Sequence, residues 1–373
     1  MARAAFLMDR LMAGVGLSGK SFIPLLSSFA CAIPGIMATR VIEDRRDRLA
    51  TILVLPLVTC SARLPVYAMI AALLFRDEPQ MAALLFLAAY VLGIVAALGM
   101  AFVFKRSLLK GQTRPMVIEL PGYRLPSLRN ALLTTLDRAK VFLRKAGTVI
   151  LAISVTLWAM MTWPMLDEAD LPAEVAAQVE QLRSEADVLD LAAGNDASSA
   201  SPDGSGESDS TGSSDELPGD ALRSQADRLI AKQTLEHSLA GRIGKAVEPI
   251  LSPLGFDWKI NVGVVSSFAA RETVVSTLAI VYGMSEDAAE DTETLSETLR
   301  RQTHADGTPV FTTATCFSLL VFYVLAMQCL PTQAVTRRET GHWGWAAFQL
   351  GYMTLLAWTA ALLTFQSIAA WTG

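Results

Sequence analysis

Charge is scarce in this 373-residue chain. Asp, Glu, Lys and Arg make up 18 % of it, against about 25 % in an ordinary soluble domain. Histidine is nearly absent at three residues, too few and too scattered for a zinc centre built on imidazole. The four cysteines, Cys31, Cys60, Cys316 and Cys329, form no CxxC pair and no secreted disulfide framework. The N-terminal stretch MARAAFLMDRLMAGVG has too short an apolar run, and no cleavage site, for a signal peptide. A soluble enzyme, a nucleic-acid binder and a disordered chain are all disfavoured by this profile. What is present is apolar residue, at 52 %, with a mean hydropathy of +0.39.

The net charge of −5 conceals a division. Residues 164–257 carry 19 acids and six bases, so the rest of the chain is net basic. An apolar, basic body with one acidic insert reads as a polytopic, all-α membrane protein.

A spanning helix needs about 20 mostly apolar residues. Residues 81–104 and 343–370 meet this directly. Residues 146–163 end in Trp158 and Trp163, an interfacial pattern, and 310–330 form another apolar run. Three further segments are interrupted: 17–39 by Pro24, Pro34 and Gly35; 49–75 by Pro56, Arg63 and Pro65; and 258–282 by Asn261, Arg271 and Glu272. That predicts about seven membrane segments, four of them simple spans. In lipid, broken backbone survives only where protein or a cavity satisfies it, so the interrupted segments point to the bundle interior and its binding site.

Loop 105–145, with ten bases and two acids, is expected in the cytoplasm, as is 40–48 (RVIEDRRDR). The latter run reads as a salt-bridged anchor more than as a coupling surface. The acidic insert then falls outside, with a disordered linker over 193–220 and short helices over 172–192 and 221–247. Loop 283–309 is also placed outside, which makes 258–282 a re-entrant pair of half-helices. Expected regions are 1–75 and 258–373 as two similar units, 76–163 as central helices, and 164–257 as the insert.

The similarity of the two units shows in the sequence. Ser27-Ser28-Phe29-Ala30 recurs as Ser266-Ser267-Phe268-Ala269, and Thr59-Cys60 with Tyr67 recurs as Thr315-Cys316 with Tyr323. The flanking loops differ in sign, the pattern of inverted-repeat transporters.

Gly14-Val-Gly-Leu-Ser-Gly19-Lys20-Ser21 matches the GxxxxGK[ST] pattern letter for letter. A phosphate loop needs a strand before it and a helix after it. Here a helical pattern precedes it and Pro24 follows, so no nucleotide-binding residue is assigned. Glu272 is the strongest polar candidate, because an intramembrane carboxylate serves a pathway or an ion pair, here with Arg271 or Arg63. Cys31 and Cys60 lie beside prolines where freed carbonyls and a thiol can face a cavity. Cys329, beside Pro331, ranks next, and Cys316 has the weakest case. Thiolate with carboxylate suits a borderline divalent metal.

Three longer stretches carry a resemblance: Ser21-Phe-Ile-Pro-Leu-Leu-Ser-Ser-Phe-Ala-Cys31-Ala-Ile-Pro-Gly-Ile-Met-Ala-Thr-Arg40, Ile42-Glu43-Asp-Arg-Arg-Asp-Arg48, and Cys60-Ser-Ala-Arg63-Leu-Pro65-Val-Tyr67. Together with Phe268-Ala-Ala-Arg271-Glu272-Thr-Val-Val-Ser-Thr-Leu and Arg337-Arg-Glu339-Thr-Gly341-His-Trp343-Gly-Trp345, they resemble the membrane domain of the ferrous iron transport protein B family. The insert lies outside the resemblance. It implies a multi-pass importer of Fe(II) in the bacterial inner membrane, with two gate regions. Cys31, Cys60 and Glu272 take the places of the family's gate residues, with Cys329 as a further candidate on the metal pathway. Arg63 and Arg271 are assigned to gating or ion pairing, Arg271 standing where relatives usually have Lys. Fe(II) is substrate and no resident cofactor is expected. Relatives begin with a GTP-binding domain and a helical domain. This sequence starts just inside the first gate region, so GTP and Mg would act through a separate domain, with small cytoplasmic accessory proteins and a homo-oligomer as further partners. No enzymatic step is assigned to the chain, and nucleic acid is not a partner. Two alternatives stay open: a gate-type transporter of another solute such as a nucleoside, and a scaffold fragment that does not transport.

Overall fold

The computed structural model describes residues 2–76, 78–110, 127–162, 172–197, 222–223, 225–226, 229–230, 233–234, 237–268, 271, 273–282, 292–303, 307–327 and 329–372. Among them the fold is all-helical, with no strand beyond one isolated bridge, Thr303 to Pro309.

The first unit is built from broken elements. After helix α1 (Ala2–Gly14) come two seven-residue helices, α2 (Phe22–Ser28) and α3 (Ala32–Ala38). Pro34 sits in the first turn of α3, where its missing N–H costs nothing. Gly35 lets α3 lie against α2: a Cβ there would stand 3.0 Å from the Pro24 carbonyl oxygen. Helix α4 (Arg45–Val54) starts at Asp44, whose carboxylate accepts the N–H groups of Arg46 and Asp47. It ends in a tight turn at 55–57, where Pro56 stops the helical ladder, and α5 (Leu64–Leu74) resumes with Pro65 in its first turn. Together α4 and α5 make one interrupted candidate span, Arg45–Leu74.

Helix α6 (Pro79–Arg106) has 28 residues, about 42 Å at 1.5 Å per residue, more than the ~30 Å hydrocarbon layer. Its inward face repeats every four residues through Leu85, Ala89, Gly93, Ala97 and Ala101, which admits close neighbours. A Cβ on Gly93 would lie 2.8 Å from Thr59 Oγ1 and 3.2 Å from the Leu57 carbonyl, so the interruption after α4 rests directly on this glycine. Helices α7 (Leu128–Phe142) and α8 (Thr148–Thr162) follow, joined by a π-helical turn at Leu143–Gly147. The apolar part of α8, Thr148–Met160, is shorter than a full span.

In the acidic insert, α9 (Ala173–Ala197) runs five residues beyond the expected helix, and the expected linker lies almost wholly outside the described residues. Helix α10 (Leu239–Leu251) is capped by Ser238 and packs against the second unit. There α11 (Trp258–Ser266) and α12 (Thr273–Val281), nine residues each, reach only about 14 Å apiece. Neither crosses a bilayer alone. After α13 (Thr292–Arg300), α14 (Thr313–Leu325) stops at residues 326–329 and α15 (Leu330–Thr340) continues. The final helix α16 (Trp343–Thr372) packs along α14 and α15.

Among the described residues, four helices are therefore long and apolar enough to cross a membrane: Arg45–Leu74, Pro79–Arg106, Thr313–Thr340 and Trp343–Trp371. They are not the four simple spans that hydropathy suggests. Residues 310–330 belong to a longer, interrupted span, because Pro331 restarts the helix rather than ending it. Residues 146–163 supply only the short apolar stretch in α8.

Candidate functional site

Three of the four cysteines occupy one kind of position. Cys31 precedes α3 with φ −157° and ψ 138°, and Cys329 precedes α15 with φ −145° and ψ 94°. Cys60 precedes the turn Ser61–Arg63 that opens α5, with φ −99° and ψ 165°. Each is an extended residue at the N-cap of a restarting helix, and none of the three thiols accepts a capping hydrogen bond. All three are half-buried, whereas Cys316 is enclosed in the middle of α14. Cys31 lies within electrostatic range of Cys60, Cys329 and Arg271.

The breaks are tied to one another in matched fashion. The N–H of Ser61, the residue after Cys60, donates to the Phe29 carbonyl at 3.1 Å. The N–H of Leu330, the residue after Cys329, donates to the Phe268 carbonyl at 3.0 Å. Phe29 and Phe268 end the two Ser-Ser-Phe sequences. The preceding serines turn back alike: Ser28 Oγ donates to the Leu25 carbonyl and Ser267 Oγ to the Val264 carbonyl, both at 2.6 Å. The first sequence match thus has a structural counterpart. The second does not, since the bonding pattern pairs Cys60 with Cys329 rather than with Cys316. Identity of two short apolar strings cannot see a register set by backbone bonds.

Two arginines enter this region. Arg63 is fully buried, and its Nη2 and Nη1 donate to the carbonyls of Pro56 (2.9 Å) and Leu57 (3.2 Å), groups freed by the proline break. Arg63 Nη2 also reaches the Ala326 carbonyl at 3.5 Å, and Arg271 Nη2 reaches the same oxygen at 3.4 Å. The two guanidinium groups therefore converge on the interruption between α14 and α15. Nε of Arg63 and Nη1 of Arg271 are buried without a hydrogen-bond partner. Among the described residues no carboxylate pairs with either arginine; Glu272, expected to do so, lies outside them. Also among the described residues, no group of three or more His, Cys, Asp or Glu side chains is placed to hold a metal ion.

Other polar groups support the breaks from residues that hydropathy hides. Gln349 of α16 donates to the carbonyls of Ile52 (2.8 Å) and Leu53 (3.1 Å) and accepts from Thr336 Oγ1 (2.9 Å). Tyr352 donates to the same Leu53 carbonyl at 2.6 Å. The only signal in the sequence is a glutamine in an apolar run.

The run 40–48 does more than anchor. Arg40 and Arg48 both bind the Glu339 carboxylate, whose side chain is 3 % exposed, across nearly 300 residues of sequence. Glu339 holds the Arg40 guanidinium above its ordinary pKa. Asp47 forms a buried pair with Lys105 of α6. At the other end, Arg300 caps α5 through the carbonyls of Leu73 (2.8 Å) and Ala72 (3.3 Å).

The glycine-rich motif before α2 is already occupied by the protein itself. The Gly19 N–H donates to Asp9 Oδ1 at 2.7 Å, Lys20 pairs with Glu43 at 2.7 Å, and buried Ser21 accepts from Thr51 Oγ1. The groups that would cradle a phosphate have internal partners.

Two family models match the chain. One, described as nucleoside recognition and named Gate, covers residues 1–74 and 143–343. The other, ferrous iron transport protein B C terminus, covers residues 86–138. Among curated proteins, the Fe(2+) transporter FeoB of Leptospira biflexa is 40 % identical over 371 residues, covering 98 % of this chain and 45 % of the relative. The Leptospira interrogans serovar Lai protein of the same name is 38 % identical with the same coverage. A Porphyromonas gingivalis protein named Fe(2+) transport protein A/Fe(2+) transporter FeoB fusion protein is 38 % identical, covering 98 % of this chain and 40 % of the relative. The chain thus spans less than half the length of these relatives. No solved structure matches.

Proposed function

This chain belongs to the Gate family and is similar to the membrane portion of FeoB proteins, and from that premise we propose that it forms the membrane pathway of a ferrous iron importer. The observation that carries the reading is the placement of Cys31, Cys60 and Cys329 at three extended helix starts within the region that aligns with Fe(2+) transporters. Fe(II) is passed between these thiols, with Glu272 as the carboxylate on the path. Thiolate sulfur is a suitable ligand for such a borderline cation, and single ligands in series bind weakly enough to release it.

Arg63 and Arg271 form the gate. Two buried positive charges at the Ala326 carbonyl oppose a divalent cation while the breaks stay as described. Entry requires the α14–α15 interruption to move away from the arginines or the neighbouring thiols to ionise. The units 1–75 and 258–373 act as two inverted repeats within seven membrane segments of the bacterial inner membrane; the matched Phe29–Ser61 and Phe268–Leu330 bonds support that division. The insert 164–257 faces outward. A GTP-binding domain drives the opening, and accessory proteins act beside it; the fusion name of the Porphyromonas relative supports the latter. The chain itself carries out no covalent chemistry.

The test is anaerobic uptake of radiolabelled Fe(II) in cells lacking their own importers, expressing the chain alone or joined to a GTP-binding domain. Uptake by the joined form, abolished in Cys60→Ser, supports the reading. Full uptake in a joined form carrying Cys31→Ser, Cys60→Ser, Cys329→Ser and Glu272→Gln together would overturn it. Uptake of a labelled nucleoside in place of iron would favour the other gate-type reading.

A further inference from the structure

A groove of about 380 Å³ opens at the basic end of the bundle, between α4 and the last turn of α15. Its lining mixes apolar Ile42, Leu49 and Ile52 with basic Arg45, Arg48 and Arg338, and Arg45, Arg48, Leu49 and Ile52 share one face of α4. Two acids also line it, and both are engaged: Glu43 with Lys20, and Glu339 with Arg40 and Arg48. Arg45 and Arg338 are exposed and, among the described residues, have no acidic partner. Arg48 keeps its Nε buried and without a hydrogen-bond partner. The groove therefore has unspent positive charge and an unused donor beside apolar side chains.

We propose that this groove binds the phosphodiester headgroup of an anionic phospholipid, with the glycerol and upper acyl carbons against Ile42, Leu49 and Ile52. Arginine forks suit phosphate oxygens. A free phosphate shares that chemistry but has no use for the apolar part of the lining. Leu49 and Ile52 belong to the candidate span Arg45–Leu74, so the groove runs from its charged mouth toward the hydrocarbon layer. Trp343, 60 % exposed, stacks 4.1 Å from the Arg337 guanidinium at the same end, as expected of an aromatic residue at a membrane interface. Basic residues place this end at the cytoplasmic leaflet, where anionic lipid is a natural ligand. Residues 42–52 of the lining come from the first unit and Arg338 to Gly341 from the second, so the lipid touches both beside Glu339. The inference rests on the membrane placement of the chain and not on iron as its substrate.

The test uses the full chain purified in detergent and titrated with phosphatidylglycerol, phosphatidylcholine or inorganic phosphate, with bound ligand read by native mass spectrometry. Phosphatidylglycerol is expected to be retained, and the other two not. Each arginine near an anionic headgroup contributes about fivefold, so Arg45→Gln/Arg338→Gln is expected to weaken retention about 25-fold. Arg338→Gln alone, the variant to use if the double one folds poorly, is expected to weaken it about fivefold. Arg106→Gln, at an exposed arginine that stacks on Phe102 and does not line the groove, is expected to match the wild type. Equal retention of the two lipids, displacement of phosphatidylglycerol by equimolar phosphate, or an unchanged double variant would overturn the proposal.

Discussion

The two units handle the same problem, a helix broken inside a membrane segment, with different resources. In the first, the carbonyls freed around Pro56 receive Arg63, and those at the end of α4 receive Gln349 and Tyr352. In the second, among the described residues, the Ala326 carbonyl receives only long bonds from Arg63 and Arg271. An unpaired backbone oxygen is expensive in lipid, so the better-satisfied first break is a fixed frame. The second has less to lose on rearranging. Under the proposed function, this difference puts movement at the α14–α15 interruption and support at the α4–α5 one.

The largest expected effect separates the two arginines. Arg63→Met strands the Pro56 and Leu57 carbonyls and is expected to lower stability by about 3 kcal/mol. Arg271→Met, which loses one 3.4 Å bond, is expected to cost about 1 kcal/mol. Thermal unfolding in detergent measures both, and equal losses would remove the asymmetry. A second contrast concerns the hairpins. At Gly35 a new Cβ meets the Pro24 backbone oxygen at 3.0 Å, whereas at Gly263 it meets the Val274 and Leu278 side chains, which can shift. Gly35→Ala is expected to cost about 2 kcal/mol and Gly263→Ala about 1 kcal/mol or less. The link between the units is sharpened by Glu339→Gln, which weakens the hold on Arg40 and Arg48 and is expected to cost about 1.5 kcal/mol. Limited proteolysis of the 40–48 segment reads that loosening, and unchanged cleavage would argue against a structural link. The smallest effect is chemical. A maleimide is expected to label Cys31, Cys60 and Cys329 in the folded protein, and Cys316 only after denaturation.

Much of the frame was legible beforehand, because prolines and charges in apolar runs have few physical explanations. Pro34, Pro56, Pro65 and Pro331 each stand in the first turn of a helix or in the turn of a break. That is why Cys31, Cys60 and Cys329 were visible as residues at breaks. Two things were not legible. Register between the units is set by which N–H meets the Phe29 and Phe268 carbonyls, and short apolar identities led instead to Cys316. Partner choice was also hidden. Arg63 suggested a carboxylate, and Glu272 lies outside the described residues; what hydropathy does not show is that a proline break supplies carbonyls within reach of a nearby guanidinium, here those of Pro56 and Leu57. Glu339 carried no role in the sequence, and only folding sets Arg40 and Arg48 upon it.

The central claim is that the thiols at the three breaks lie on the path of the metal. Fe(II) protection against alkylation tests it most directly, with the chain joined to a GTP-binding domain in anaerobic membranes and labelling at each cysteine read by mass spectrometry. The account predicts that Fe(II), and not Mg(II), slows labelling at Cys31, Cys60 and Cys329. Labelling at these residues that is indifferent to Fe(II), or slowed equally by Mg(II), would contradict it.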